Sequence, residues 1–203
     1  NIEQKKRKRK ILLAQIRNDK KQLKKALRER EKAVERLQKI IAELERERKR
    51  RMEEARKRKI PIARRDVESP FPNYRGRLIW PAEGKVISRF GKQRHPKLKT
   101  ITENSGIDIK AEPGSDVMAV MEGKVTTITW IRGFGNTIII DHGAGFYTVY
   151  THVSNIMVNP GDFVLEGDVI ARVGDSGSLE GPMLHFEIWE NRTKHDPEKW
   201  LKR

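Results

Sequence analysis

Lys124-Val-Thr-Thr-Ile-Thr-Trp-Ile131, Asn136-Thr-Ile-Ile-Ile-Asp141 and Phe146-Tyr-Thr-Val-Tyr-Thr151 follow one another, with a short Gly-containing turn between each pair. Their β-branched and aromatic residues suit pleated strands, and connections this short join antiparallel neighbours. Further strand-like runs lie outward on both sides: Lys85-Val-Ile-Ser88, Val169-Ile-Ala-Arg-Val173 and Leu184-His-Phe-Glu-Ile-Trp189. No helical pattern long enough for a parallel crossover separates them. Residues 77–203 are therefore predicted to form an all-β, mainly antiparallel, barrel-like domain with its own core.

Upstream the pattern changes completely. Leu13, Ile16, Lys20, Leu23, Leu27, Arg30, Val34, Leu37, Ile41 and Leu44 alternate at spacings of three and four, and eight of these ten positions are apolar. This is the seam of a coiled coil, interrupted at Lys20 and Arg30. No Pro or Gly precedes Pro61, so one helix of about 87 Å is predicted over residues 2–59 at 1.5 Å per residue. Pro61 ends it by restricting Ile60. The division is thus 1–60 coiled-coil helix, 61–76 linker with at most a short helix, and 77–203 β domain. A stripe this narrow calls for a partner helix, from a second chain or from an upstream segment.

The chain has 203 residues and a formal charge of +16, but the charge is not spread evenly. Residues 1–70 hold 27 Lys+Arg against 12 Asp+Glu, whereas the remainder holds 17 against 16. A basic helix can neutralise phosphates. The first aromatic residue is Phe71, however, so nothing in the helix stacks a base, and the charge is assigned to a solvated outer face. The absence of cysteine excludes disulfides, thiolate metal sites and cysteine nucleophiles. No stretch reaches the roughly 18 apolar residues of a membrane span, and Asn1-Ile-Glu-Gln-Lys5 is not a signal peptide.

Histidine is the first place to look for chemistry. Asp108, His152 and His185 lie on or beside strand-like runs, where one sheet face can gather them. His95, His142 and His195 stand in turn contexts and read as structural.

The ordered series Asn104-Ser-Gly-Ile-Asp108, Val117-Met-Ala-Val-Met-Glu-Gly123, Gly135-Asn-Thr-Ile-Ile-Ile-Asp-His142-Gly, Tyr150-Thr-His152, Gly174-Asp-Ser-Gly177 and Gly181-Pro-Met-Leu-His185-Phe-Glu-Ile188 resembles the lysostaphin-like (LytM-type) zinc endopeptidase domain. The resemblance implies a His-x-x-x-Asp pair and the second His of a His-x-His as zinc ligands, with an open fourth position for the attacking water. Here those positions are Asn104, Asp108 and His185. The first His of His-x-His, a catalytic position in the family, is Met183, while the other catalytic histidine is retained as His152. An amide oxygen is a weak ligand, and a thioether exchanges no proton near neutrality. The expectation is a degenerate, non-enzymatic domain with no zinc or other cofactor.

A degenerate LytM-type domain behind a long coiled coil is similar to murein hydrolase activators of the EnvC type. That likeness implies binding and activation of a zinc-dependent cell-wall amidase (N-acetylmuramoyl-L-alanine amidase) during cell division. It also implies an FtsEX-type membrane complex at the coil, and a periplasmic or envelope location. The expected partner surface is the vestigial groove: Asn104, Asp108, Tyr150, His152, Met183 and His185, with residues 90–99 and 174–181 as walls. A coil or linker covering that groove is a further expectation. The alternatives are a surviving zinc endopeptidase and a peptidoglycan-binding module; no nucleic-acid partner is expected.

Overall fold

The computed structural model describes residues 2–94, 101–178 and 181–203. Helix α1 (Ile2–Arg58) is followed by the one-turn α2 (Arg64–Val67) and a 3-10 turn at Phe71–Tyr74. Among the described residues thirteen strands follow: β1 (Lys85–Ser88), β2 (Gly91–Arg94), β3 (Ile101–Asn104), β4 (Ile107–Lys110), β5 (Asp116–Met118), β6 (Gly123–Ile131), β7 (Gly135–Gly143), β8 (Phe146–Thr151), β9 (Val153–Ser154), β10 (Phe163–Val164), β11 (Val169–Val173), β12 (Met183–Glu190) and β13 (Thr193–His195). The main sheet runs β1-β4-β12-β8-β7-β6-β10, with β13 also paired to β12. A small sheet β5-β11-β9 and the hairpin β2-β3 complete the fold. All strand pairs are antiparallel, as the sequence predicts.

The main sheet is covered on both faces, which explains the unbroken apolar run Ile138-Ile139-Ile140 in β7. Ile138 and Ile140 point into the principal core with Ile107, Ile109, Tyr150, Leu184, Phe186 and Ile188. Ile139 points the other way, into a second cluster with Ile131, Phe134, Tyr147, Val149 and Trp189. The cover on that second face is α1, through Ala33, Leu37 and Ile41.

This corrects the expectation that the seam requires another helix. From about residue 30 onward its partner is the sheet. The buried stripe is also rotated slightly from the seam, running Ala33, Leu37, Ile41, Glu45, Arg48 and Ala55. Glu45 and Arg48 are tolerated there because they pair with each other, Arg48 Nη2 to Glu45 Oε2 at 2.9 Å, and with the domain. Tyr147 donates its hydroxyl to Glu45 Oε1 at 2.8 Å. Arg48 donates to the Asp66 carbonyl at 2.8 Å and to Asn191 Oδ1 at 3.0 Å. Nearer the N-terminus the seam has no such cover: Ile11, Leu12, Leu13 and Ile16 are about half exposed.

Gly133 shows how closely helix and sheet approach. It turns the β6–β7 hairpin at φ +93°, and a Cβ there would lie 2.9 Å from the Glu29 carbonyl oxygen of α1. The linker is pinned as well: Ala144 N donates to Arg65 O at 2.9 Å, and Ser69 Oγ to His142 O at 2.7 Å.

Candidate functional site

Antiparallel register builds the site. β12 places His185 opposite Asp108 of β4 on one side and opposite Thr151 of β8 on the other. Side chains alternate along β12, so His185, Glu187 and Trp189 share the face turned toward α1. Asn104, at the end of β3, donates from Nδ2 to Asp108 Oδ2 at 3.2 Å and to Ser88 Oγ at 2.8 Å. Asp108 Oδ1 lies 2.5 Å from His185 Nδ1, and Glu187 Oε1 lies 2.9 Å from His185 Nε2. Glu187 also accepts from Ser105 Oγ and, at 2.6 Å, from Trp189 Nε1.

Into this cluster reaches Arg30 from α1. Its Nη2 donates to Asn104 Oδ1 at 2.9 Å and to Asp108 Oδ2 at 3.2 Å. The interruption of the seam at Arg30 thus has a cause: that position faces a buried anion, not an apolar surface.

The electrostatics follow from burial and partners. Burial pushes the Asp108 carboxyl up, but the His185 and Arg30 charges outweigh it and hold it well below the usual carboxylate range. Burial pushes His185 down, and Asp108 and Glu187 more than reverse that, so its value is raised. Glu187 is lowered in the same way, chiefly by His185, against its own burial. His152 behaves oppositely: burial lowers it to about 4. Its Nδ1 lies 2.7 Å from the Ser176 carbonyl oxygen, which can only accept, so the neutral ring carries its proton on Nδ1. His152 adopts φ +63°, an uncommon conformation for a non-glycine residue and a mark of local strain. Phe134 lies against both rings, stacked on His185 at 5.2 Å and edge-on to His152 at 6.3 Å between centroids.

Of the six residues anticipated in the sequence, Asn104, Asp108 and His185 are bonded together and His152 stands beside them. Met183 is nearly buried at the start of β12, on the strand face of His185 by alternation. Tyr150 does not line the groove. It points into the principal core, packs on Phe186 and accepts a hydrogen bond from Val120 N at 3.1 Å. The reason is register: Tyr150 stands opposite Phe186, on the core face of the sheet, whereas His152 lies past the end of β8 at φ +63°. Residues 95–100 and 179–180 of the expected walls, with His95, lie outside the described residues. His142 and His195 are structural as expected: His142 is bonded to Thr148 and Glu122, and His195 to Glu190. Glu187 and Phe134 were not anticipated. His185-x-Glu187 on one strand face was the available signal for the former.

The chain matches the family model described as Peptidase family M23 over residues 102–197. The murein hydrolase activator EnvC of Escherichia coli (strain K12) is 33% identical over 129 residues, covering 64% of this chain. The match spans 30% of that protein. Among solved structures, a zinc-containing peptidase from Vibrio cholerae superposes with TM-score 0.56 at 29% identity, over 63% of this chain and 41% of that one. The catalytic domain of lysostaphin from Staphylococcus simulans gives 0.50 at 28%, over 56% and 89%. The ordered motifs, the antiparallel topology and these likenesses agree that residues 102–197 match a peptidase family M23 domain and that the β domain resembles those of the lysostaphin, or LytM, type.

Proposed function

We propose that the chain is a non-enzymatic activator of peptidoglycan amidases, acting at the cell envelope, whose partner-binding groove is the former peptidase site and whose α1 keeps that groove closed. The observation that carries this reading is the seat of Arg30 on Asn104 and Asp108, two positions at which the family resemblance implies metal ligands. The donor set does not fit a catalytic zinc. Asn104 offers only a neutral amide oxygen, which leaves one carboxylate, Asp108, and one imidazole, His185, as strong donors where a catalytic zinc takes three protein ligands. Met183 supplies no proton. The likeness to EnvC favours the activator role over a surviving endopeptidase.

In this reading α1 and the amidase compete for one surface. The seated helix lowers apparent affinity by the fraction of molecules in which the groove is open. A signal that pulls α1 away then raises affinity without altering the groove itself.

The test is dye release from labelled sacculi by purified zinc amidases mixed with the full chain. The chain alone is expected to release nothing, with or without zinc. Arg48→Ala, which loosens α1 far from the groove, should stimulate an amidase more strongly than the unaltered chain, and adding Met183→Asp should remove the stimulation. Failure of every candidate amidase to respond to Arg48→Ala would sink the activator reading; digestion by the chain alone would restore the peptidase.

A further inference from the structure

The cluster around Asp108 holds its guanidinium counter-charge only while α1 is seated. Two buried carboxylates, Asp108 and Glu187, flank His185, one at each ring nitrogen. The guanidinium that reaches them is that of Arg30. The need for it is localised. Glu187 is satisfied from within the domain by Ser105, His185 and Trp189. Asp108 relies on α1, since both its oxygens accept from Arg30 in addition to His185 and Asn104.

The two halves of the pair are unequal in access. The Asp108 side chain is 3% exposed and built into the sheet, whereas that of Arg30 is 35% exposed and reaches in from a separate helix. Withdrawing α1 therefore removes the cation and strands the anion, and an uncompensated buried charge is strongly unfavourable. Around it the same withdrawal bares Ile131, Phe134, Ile139 and Trp189, which Ala33, Leu37 and Ile41 otherwise cover.

We propose that the partner displacing α1 inserts a lysine or arginine of its own at the seat of Arg30, so that the groove selects a helix bearing one protruding cation on an apolar face. This rests on the activator reading and names the chemistry of its partner. The template is α1 itself: a basic residue followed three, seven and eleven positions later by small or aliphatic residues, as at Arg30, Ala33, Leu37 and Ile41. A helix with the apolar face alone would leave Asp108 unpaired and is rejected for that reason.

The demand for a cation is tested without any partner. In the full chain carrying Arg30→Ala, methylguanidinium should bind saturably, seen as shifts of the Asn104 side-chain and Gly106 backbone amides in NMR spectra. N-methylurea, of similar shape but uncharged, should bind at least about tenfold more weakly. The unaltered chain should respond to neither, and adding Asp108→Asn should abolish the preference. Equal binding of the two probes, or binding of neither by a folded Arg30→Ala chain, overturns the proposal. With an amidase that the chain activates, each Lys and Arg of its contacting segment is replaced by Met. One replacement should weaken binding about tenfold or more, and Asp108→Asn should make binding indifferent to it. An amidase that binds with no basic residue coupled to Asp108 overturns the cation requirement and leaves the activator reading standing. Binding of no amidase removes the activator reading and the proposed partner with it, whatever methylguanidinium does.

Discussion

His142 and His185 titrate in opposite senses, and their pH windows do not overlap. His142 is fully buried and held to about 4 by burial, below its unfolded value of about 6.5. The native state then binds fewer protons than the unfolded state between those values, so stability falls as pH drops from about 6.5 towards 4, by on the order of 3 kcal/mol. His152 adds to the same limb. His185 is raised, so its contribution is complete below about 6.5 and is lost as pH rises through its folded value. Denaturant midpoints should therefore fall on both sides of about pH 6.5, and a flat profile from pH 4.5 to 6.5 would contradict the burial of His142. Glu187→Gln is expected to cost about 3 kcal/mol or more, because His185 and its neighbours are arranged around a full carboxylate. Equal urea midpoints for the variant and the unaltered chain would remove that role. Asp108, His152 and His185 were legible as polar residues on or beside strand-like runs, whereas Asn104 and Met183 were legible only through the resemblance to the LytM-type domain. Phe134 was not legible, because its part in the site comes from hairpin placement, which no linear motif records, and Glu187 was signalled only by its alternation with His185 along one strand.

The decisive element is α1, and its sequence told half of its story. A spacing of three and four reveals a helix with one sticky face, but burial against a sheet and burial against another helix ask for the same period. The polar residues carry the distinction. Arg30 faces Asp108, and Glu45 with Arg48 meets Tyr147, Asp66 and Asn191. Removing one member of a buried charge pair typically costs about 3–5 kcal/mol, far more than an exposed pair such as Arg132–Glu29. Arg48→Ala should thus expose residues 29–48 to limited proteolysis while the β domain stays intact. Gly133→Ala should do the same from the other end of the contact, since its Cβ collides with Glu29 O and its φ of +93° is strained for alanine. Digestion patterns identical to the unaltered chain for both variants would show that α1 is held elsewhere.

For the whole molecule, the two halves of α1 obey different physics. Residues 30–55 are stabilised by tertiary contact, whereas the side chains before about residue 23 are exposed wherever they are described. A helix without packing depends on propensity alone. Native-state hydrogen exchange should protect the amides of residues 33–48 by at least about two orders of magnitude more than those of residues 3–20. Uniform protection along the helix would mean that another surface covers its first half. No described helix is long and apolar enough to cross a membrane. Most of the excess positive charge sits in residues 1–70, 27 Lys+Arg against 12 Asp+Glu, and not on the nearly neutral β domain.

Helix α1 runs unbroken from Ile2 to Arg58, and its continuity gives it mechanics. If it pivots at the Arg48 contact, Arg30 lies about 27 Å from the fulcrum and Ile2 about 69 Å, at 1.5 Å per residue. A load at Ile2 then acts on the Arg30 contact with a leverage of about two and a half. Drawing the guanidinium 5 Å clear of Asp108 requires Ile2 to swing by roughly 13 Å. A broad, weak pull that far along α1 would thus become a short, forceful extraction at the groove.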